Sequence, residues 1–114
     1  MRDDQDRLTD ILSAIDRILS KTAPGRDAFD ADEMLQVWVL HHLQIVGEAA
    51  RCLSEEFRRL HPDDTWAEAA GMRNILVHHY FEIDAGQIWK VVENDLLPLR
   101  QRVRTILASL ESAD

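Results

Sequence analysis

Apolar residues recur at intervals of three and four along most of the chain, and this period predicts α-helices. The first predicted helix covers residues 3–21, where Asp3 or Asp4 can cap its start and the turn-forming residues 22–25 end it. One face of this helix is apolar and consists of Leu8, Ile11, Leu12, Ile15, Ile18 and Leu19. A helix with a single apolar stripe buries that stripe against another element.

The second predicted helix follows the cap candidates Asp30 and Asp32, and it is apolar on more than one face. Its main stripe contains Leu35, Trp38, Val39, His42, Ile45, Val46, Ala49 and Leu53, while Met34, Val37 and Leu40 lie outside that stripe. Such a helix is expected at the centre of a bundle or between two copies of the chain. The small residues Gly47, Ala49 and Ala50 would let another helix approach closely.

A short helix and a third long helix come next. Ser54 can cap the short helix, and Asp63 or Asp64 can cap the long one. The apolar period of the third long helix continues as far as Tyr80. Since no strand pattern competes, the sequence predicts an all-α, up-and-down helical bundle of about four to five helices in a single domain, residues 1–114.

The fourth long helix is predicted to begin near Asp84. Its apolar positions are Ile88, Val91, Val92, Leu96, Leu99, Val103, Ile106, Leu107 and Leu110. Pro98 falls inside this pattern. The helix therefore either kinks at Pro98 or ends and restarts at Asn94 and Asp95.

Composition narrows the class of protein. A net charge of −8 argues against a broad nucleic-acid-binding surface, although a cleft on an acidic protein can be locally basic. Cys52 is the only cysteine, so no internal disulfide and no cysteine metal site can form, and a buried structural thiol is expected. No apolar run reaches eighteen residues and the charged N-terminus is not a signal peptide. These features predict a cytoplasmic protein that does not enter a membrane.

The densest chemistry lies in residues 71–81. Arg73 is a permanent cation suited to phosphate, Asn74 adds an amide, His78 can exchange a proton near neutral pH, and Tyr80 carries a phenol. Arg73 and His78 are five residues apart, or about 140° around an ideal helix, so one helix does not aim both at one point. Either the helix loosens near His78, or two chains build the site. Tyr80, seven residues after Arg73, would share its helical face.

The segment RNILVHHY resembles the Arg-Asn, His and Tyr motif of the HEPN ribonuclease superfamily. Its surroundings, residues 45–49, Trp66, residues 81–84 and residues 88–89, are similar to those of the HepT-like toxins, also called the DUF86 family. The resemblance covers nearly the whole chain. It implies a homodimer with the motif in a groove at the dimer interface.

The resemblance also implies a function: the toxin of a type VII toxin–antitoxin system, a metal-independent RNA endonuclease without a cofactor. Arg73 and His78 would be catalytic, with Asn74, Glu48 and His79 in support. The implied partners are RNA and a minimal nucleotidyltransferase (MNT) antitoxin, which can neutralise such toxins by AMPylation at the position of Tyr80.

The residue types suit this chemistry. RNA is cut without metal when its own 2′-OH attacks the adjacent phosphate. A histidine can move the proton in that step. An arginine can stabilise the charge that develops on the phosphorus oxygens.

Other polar residues have ordinary explanations. Glu48 lies in an apolar stretch, which predicts a buried or interface carboxylate that pairs with Arg73 or another arginine, unless it faces water. His79 is expected to be exposed or to stand beside the site. His41 and His42 lack the further ligands of a zinc site, so packing or exposure is expected.

A rival hypothesis is a non-catalytic substrate- or nucleotide-binding subunit of a minimal nucleotidyltransferase complex. The acidic charge favours the rival and the intact motif favours the enzyme. A structural helical dimer without a ligand is the third possibility.

Overall fold

The computed structural model describes residues 3–75, 77–78 and 82–112, and of residues 77, 78, 82 and 112 it describes the backbone. Within these residues the chain forms seven α-helices, which confirms the all-α prediction; four of them have ten residues or more. The helices are α1 (Asp4–Thr22), α2 (Arg26–Asp30), α3 (Glu33–Arg51), α4 (Glu55–Leu60), α5 (Thr65–Gly71), α6 (Ala85–Asn94) and α7 (Leu96–Ser112). A 3₁₀ turn, Met72–Asn74, and two short strands, β1 (Val77–His78) and β2 (Glu82–Ile83), lie between α5 and α6.

Most helices begin where their capping residues predict. The side chains of Asp3, Asp32, Ser54 and Asp84 accept hydrogen bonds from backbone N–H groups in the first turns of α1, α3, α4 and α6, at 2.9–3.0 Å. Each bond satisfies one N–H group that the helix cannot pair internally. At α5 the carboxylate of Asp63 takes this part by accepting from the Thr65 N–H at 3.0 Å.

The core confirms the central position predicted for α3. This helix packs against α1 on one side and against α5 and the 3₁₀ turn on the other, while α7 packs on α1 and α6. Among the described residues, the largest fully buried side chains are Leu8, Ile11, Ile15, Ile18, Phe29, Val39, Leu43, Val46, Ile88, Leu96 and Val103. The α3 helix is therefore the element on which the other helices are positioned.

One short helix was not predicted from the sequence. The five-residue helix α2 was not predicted, and it places Phe29 in the core beside Trp89, with ring centroids 5.3 Å apart. Gly25, which precedes α2, has φ +104°, a conformation that favours glycine.

The structure also decides between the two alternatives predicted near Pro98. The chain ends one helix at Asn94 and starts the next at Leu96. Pro98 thus lies in a first turn, where its missing N–H costs nothing.

The third long helix is shorter than predicted. It ends at Gly71, the 3₁₀ turn follows, and Ile75 is extended with ψ 119°. Val77 then pairs with Ile83, and His78 pairs with Glu82, in an antiparallel ladder. From Gly71 onward the segment includes a glycine, an asparagine and several β-branched and aromatic residues, which are weak helix formers. The apolar period that continues to Tyr80 therefore does not mark a helix.

Candidate active site

Arg73 is held in place by the close packing of its backbone against α3. An ideal Cβ at Gly47 would lie 2.6 Å from Arg73 N and 2.8 Å from Arg73 Cβ, closer than real Cβ contacts allow. Only a glycine permits this approach. The close approach predicted at Gly47 is thus real, and the partner is the 3₁₀ turn of the same chain. The turn cannot slide along α3 without losing this contact.

The next residue of α3, Glu48, contacts the side chain of Arg73. Arg73 Nη1 lies 3.5 Å from Glu48 Oε2, which matches the pairing considered from the sequence. Glu48 is 50% exposed, so the prediction of a buried carboxylate is wrong for the single chain; the Arg73 side chain is 43% exposed. A cation that reaches solvent beside a rigid turn is available to an incoming anion.

A second arginine shares the same carboxylate. Arg51 Nε donates to Glu48 Oε2 at 3.2 Å, and Arg51 Nη2 donates to Glu48 Oε1. The hydrogen bond from Arg51, with further attraction from Arg51 and Arg73, outweighs desolvation and lowers the pKa of Glu48 from 4.5 to about 2. Glu48 is therefore ionised at any pH near neutrality, and it cannot donate a proton there.

The remaining residues of the predicted site divide into two groups. Asn74 follows Arg73 on the 3₁₀ turn and is exposed. His78 has a described backbone in β1, whereas its side chain, His79 and Tyr80 lie outside the described residues. The helix ends between Arg73 and His78, so the 140° separation on an ideal helix does not apply. The helical face that Arg73 and Tyr80 were predicted to share falls outside the described residues, because Tyr80 is not among them.

Several other predictions can be compared with the structure. His42 is buried, and its Nδ1 lies 2.8 Å from the Trp38 carbonyl oxygen, which confirms its packing role; His41 is exposed. Cys52 is half-buried rather than buried, with its Sγ 3.8 Å from Glu48 Oε1. In the described part of the chain no three His, Cys, Asp or Glu side chains come together as metal ligands would. None of the described helices has the length and apolarity to cross a membrane.

Arg51 was not among the residues predicted for the site. Its spacing of three residues from Glu48 is a signal that could have found it, because residues three or four apart on a helix are neighbours. The same helix end carries Arg58, whose Nη2 donates to the carbonyls of Ala50 and Arg51 at 3.0 and 3.1 Å. Arg51 thus pairs with the same glutamate as Arg73, and Arg58 covers two carbonyl groups at the end of α3.

Comparisons with known proteins point to one family. The family described as "Ribonuclease HepT-like" matches residues 11–106. A Methanocaldococcus jannaschii protein called "Putative RNase MJ1380" is 34% identical over 92% of this chain and 97% of its own length. A Thermococcus cleftensis protein called "Probable ribonuclease HepT" is 38% identical over 87% of this chain and 91% of its own. No solved structure matches the chain.

Proposed function

Because the chain belongs to the HepT-like family of ribonucleases, we propose that it is a metal-independent RNA endonuclease and the toxin of a type VII toxin–antitoxin system. The observation that carries the proposal is the position of Arg73. Its guanidinium group reaches solvent from a turn that Gly47 fixes against the central helix. Such a preorganised cation stabilises charge that develops on a phosphate.

The proposed reaction uses only RNA and protein groups. The ribose 2′-oxygen attacks the adjacent phosphorus and gives its proton to a base, and the bond to the 5′-oxygen breaks as that oxygen takes up a proton. The products are a 2′,3′-cyclic phosphate and a 5′-hydroxyl. Arg73 balances the negative charge on the phosphorus oxygens in the transition state.

Proton transfer is assigned to His78. Glu48 is poorly suited to this part, because a pKa lowered to about 2 leaves it no proton to donate near neutral pH and makes its carboxylate a weak base. A histidine has an ordinary pKa near 6.5, which suits both acceptance and donation of a proton at neutral pH. Glu48 instead positions Arg73, and Asn74 stands beside Arg73 as a further donor to phosphate. His79 is assigned a supporting role because it lies next to His78 in the sequence.

The proposal includes a homodimer that completes the site. Apart from Glu33 at its start, the exposed residues of α3 follow each other at spacings of three and four, as in a helix-pairing seam. These residues are Met34, Val37, His41, Gln44, Glu48 and Arg51. The N-terminal part is apolar, with Met34 83% and Val37 50% exposed. A second copy packed on the N-terminal part of this stripe would leave Glu48 and Arg51 at the edge of the contact, beside Arg73 and open to solvent.

The proposed partner is an MNT-type nucleotidyltransferase antitoxin. AMPylation of Tyr80 would add a negative charge and a bulky group two residues after His78. Both would oppose the approach of an RNA phosphate to Arg73.

The test is expression of the parent and of Arg73→Ala and His78→Ala, with growth and RNA integrity as the measurements. Each variant should lose cleavage by about a hundredfold or more, because each removes a group that acts in the transition state. Far-UV circular dichroism should stay unchanged, and EDTA should not inhibit the parent. Cleavage at the parental rate by both variants would contradict the proposal. An intact parent that binds a nucleotide or nucleotidyltransferase and never cleaves RNA would support the non-catalytic subunit instead.

A further inference from the structure

Arg51 makes a specific contact with Glu48 that its position at a helix end does not require. An arginine in the last turn of a helix is favourable beside the helix dipole without any specific partner. Here its guanidinium group instead lies against Glu48 through two nitrogens, and Glu48 also holds Arg73. Arg51 and Arg73 therefore approach the same carboxylate oxygen, Oε2, from two elements of the fold.

We propose that Arg51 is a second phosphate-binding residue of the site, placed beside Arg73 by their common contact with Glu48. This inference rests on the proposed ribonuclease function and extends it to a residue outside the RNILVHHY motif. The ligand is the sugar–phosphate backbone of a single RNA strand. Two neighbouring guanidinium groups could hold adjacent phosphates or two oxygens of one phosphate.

Donor capacity supports the proposal. Arg51 uses Nε and Nη2 in its contacts with Glu48 and Cys52, and its Nη1 group has no partner among the described residues. The side chain is 49% exposed. Its unused N–H groups can therefore reach a ligand without breaking the contact with Glu48.

The local charge also supports it. The carbonyl groups at the end of a helix carry partial negative charge and would repel a phosphate. Arg58 donates to two of these carbonyls, those of Ala50 and Arg51, and so reduces the repulsion. Arg51 and Arg73 share the single carboxylate of Glu48, so these three side chains keep one net positive charge on a chain whose net charge is −8.

The experiment measures binding separately from cleavage. Binding of a labelled, mixed-sequence, single-stranded RNA oligonucleotide is measured by fluorescence anisotropy in the His78→Ala background over a series of salt concentrations. Arg51→Ala should weaken binding about tenfold, as expected for a hydrogen bond to a charged group. It should also make the slope of log K against log[salt] shallower by about 0.7, the value for one phosphate contact on a single strand. Arg104→Ala, which removes an exposed arginine of α7, is the matched control.

A second comparison separates direct contact from an effect through Glu48. A Glu48→Gln background keeps an oxygen that can accept from Arg51, and there Arg51→Ala should still weaken binding about tenfold if Arg51 touches phosphate. If the effect disappears there, Arg51 acts only on Glu48 and the inference is wrong. The inference is also wrong if Arg51→Ala binds RNA as tightly as Arg104→Ala, in a case where the parent cleaves RNA and His78→Ala does not. That last result would leave the ribonuclease function standing, whereas a parent that neither binds nor cleaves RNA would overturn both.

Discussion

Replacement of Gly47 by alanine should damage the site more than the fold. The new Cβ would lie 2.6 Å from Arg73 N, 2.8 Å from Arg73 Cβ and 3.1 Å from the Ala70 carbonyl oxygen. An ordinary contact begins at 3.4 Å, and the first and third of these atoms belong to the backbone, so no side-chain rotation relieves the clash. The 3₁₀ turn that carries Arg73 must move away from α3 by most of an ångström.

The energetic magnitude follows from two opposing terms. Overpacking of a close contact costs about 1–3 kcal/mol. Alanine inside a helix is favoured over glycine by about 1 kcal/mol. The free energy of unfolding should therefore fall by no more than about 2 kcal/mol. A displacement near 1 Å at a catalytic group can cost about a hundredfold in rate, so cleavage should fall far more than stability does.

Gly71 provides a matched control. It is also helical, it lies two residues before Arg73, and a Cβ there meets nothing within 4 Å. Gly71→Ala should keep parental cleavage and gain up to about 1 kcal/mol of stability. Urea unfolding followed by circular dichroism gives the stability, and a gel assay of RNA gives the rate. If Gly47→Ala behaves like Gly71→Ala in both assays, the Arg73 backbone does not depend on Gly47.

Three further outcomes are expected. Val37→Glu should shift the protein from dimer to monomer in sedimentation and abolish cleavage. Leu60→Glu, at another exposed apolar position, should do neither. A monomeric parent would contradict the shared site. Glu48 has a folded pKa of about 2 and an ordinary value of 4.5, so its ion pairs stabilise the fold above pH 4.5 and this contribution is lost as pH falls towards 2. The stability difference between the parent and Glu48→Gln should therefore shrink over that interval, and a constant difference would show that charge is not involved. Tyr80→Phe should escape the antitoxin if AMPylation is the control, and an unchanged intact mass in a neutralised complex would leave occlusion instead.

Local signals predicted most of the fold. A cap and a period of three and four define α1 and α3, and a cap marks the start of α4, because each signal acts within one or two helical turns. The α2 helix was missed because five residues with a single buried side chain, Phe29, show no period. The end of α5 at Gly71 was missed for the opposite reason. Apolar residues beyond it continue the helical period by chance, although two of them, Ile75 and Val77, are β-branched and favour extended backbone.

The site depended on contacts that sequence spacing does not specify. Glu48 and Arg73 are 25 residues apart, and their pairing was one of several predicted alternatives. Gly47 was correctly expected to admit a close neighbour, but its neighbour could be known only from the packing of α5 and the 3₁₀ turn on α3. The motif in residues 71–81 gives no indication of Arg51. Its three-residue spacing from Glu48 is the signal in the sequence that indicates a contact. The roles of His78, His79 and Tyr80 stay predictions.

The central helix links the parts of the site that the motif alone leaves separate. Gly47 fixes the backbone of Arg73, Glu48 orients its guanidinium group, and Arg51 extends the positive charge along the same helix. The exposed stripe of α3 ends at Glu48 and Arg51. A second copy that packs on the apolar, N-terminal part of the stripe would therefore adjoin these side chains. An overall charge of −8 opposes the binding of RNA elsewhere on the surface. Under the proposed function, RNA contact is therefore concentrated where α3 and the Arg73 turn meet, which explains how an acidic protein could bind a polyanion at one place.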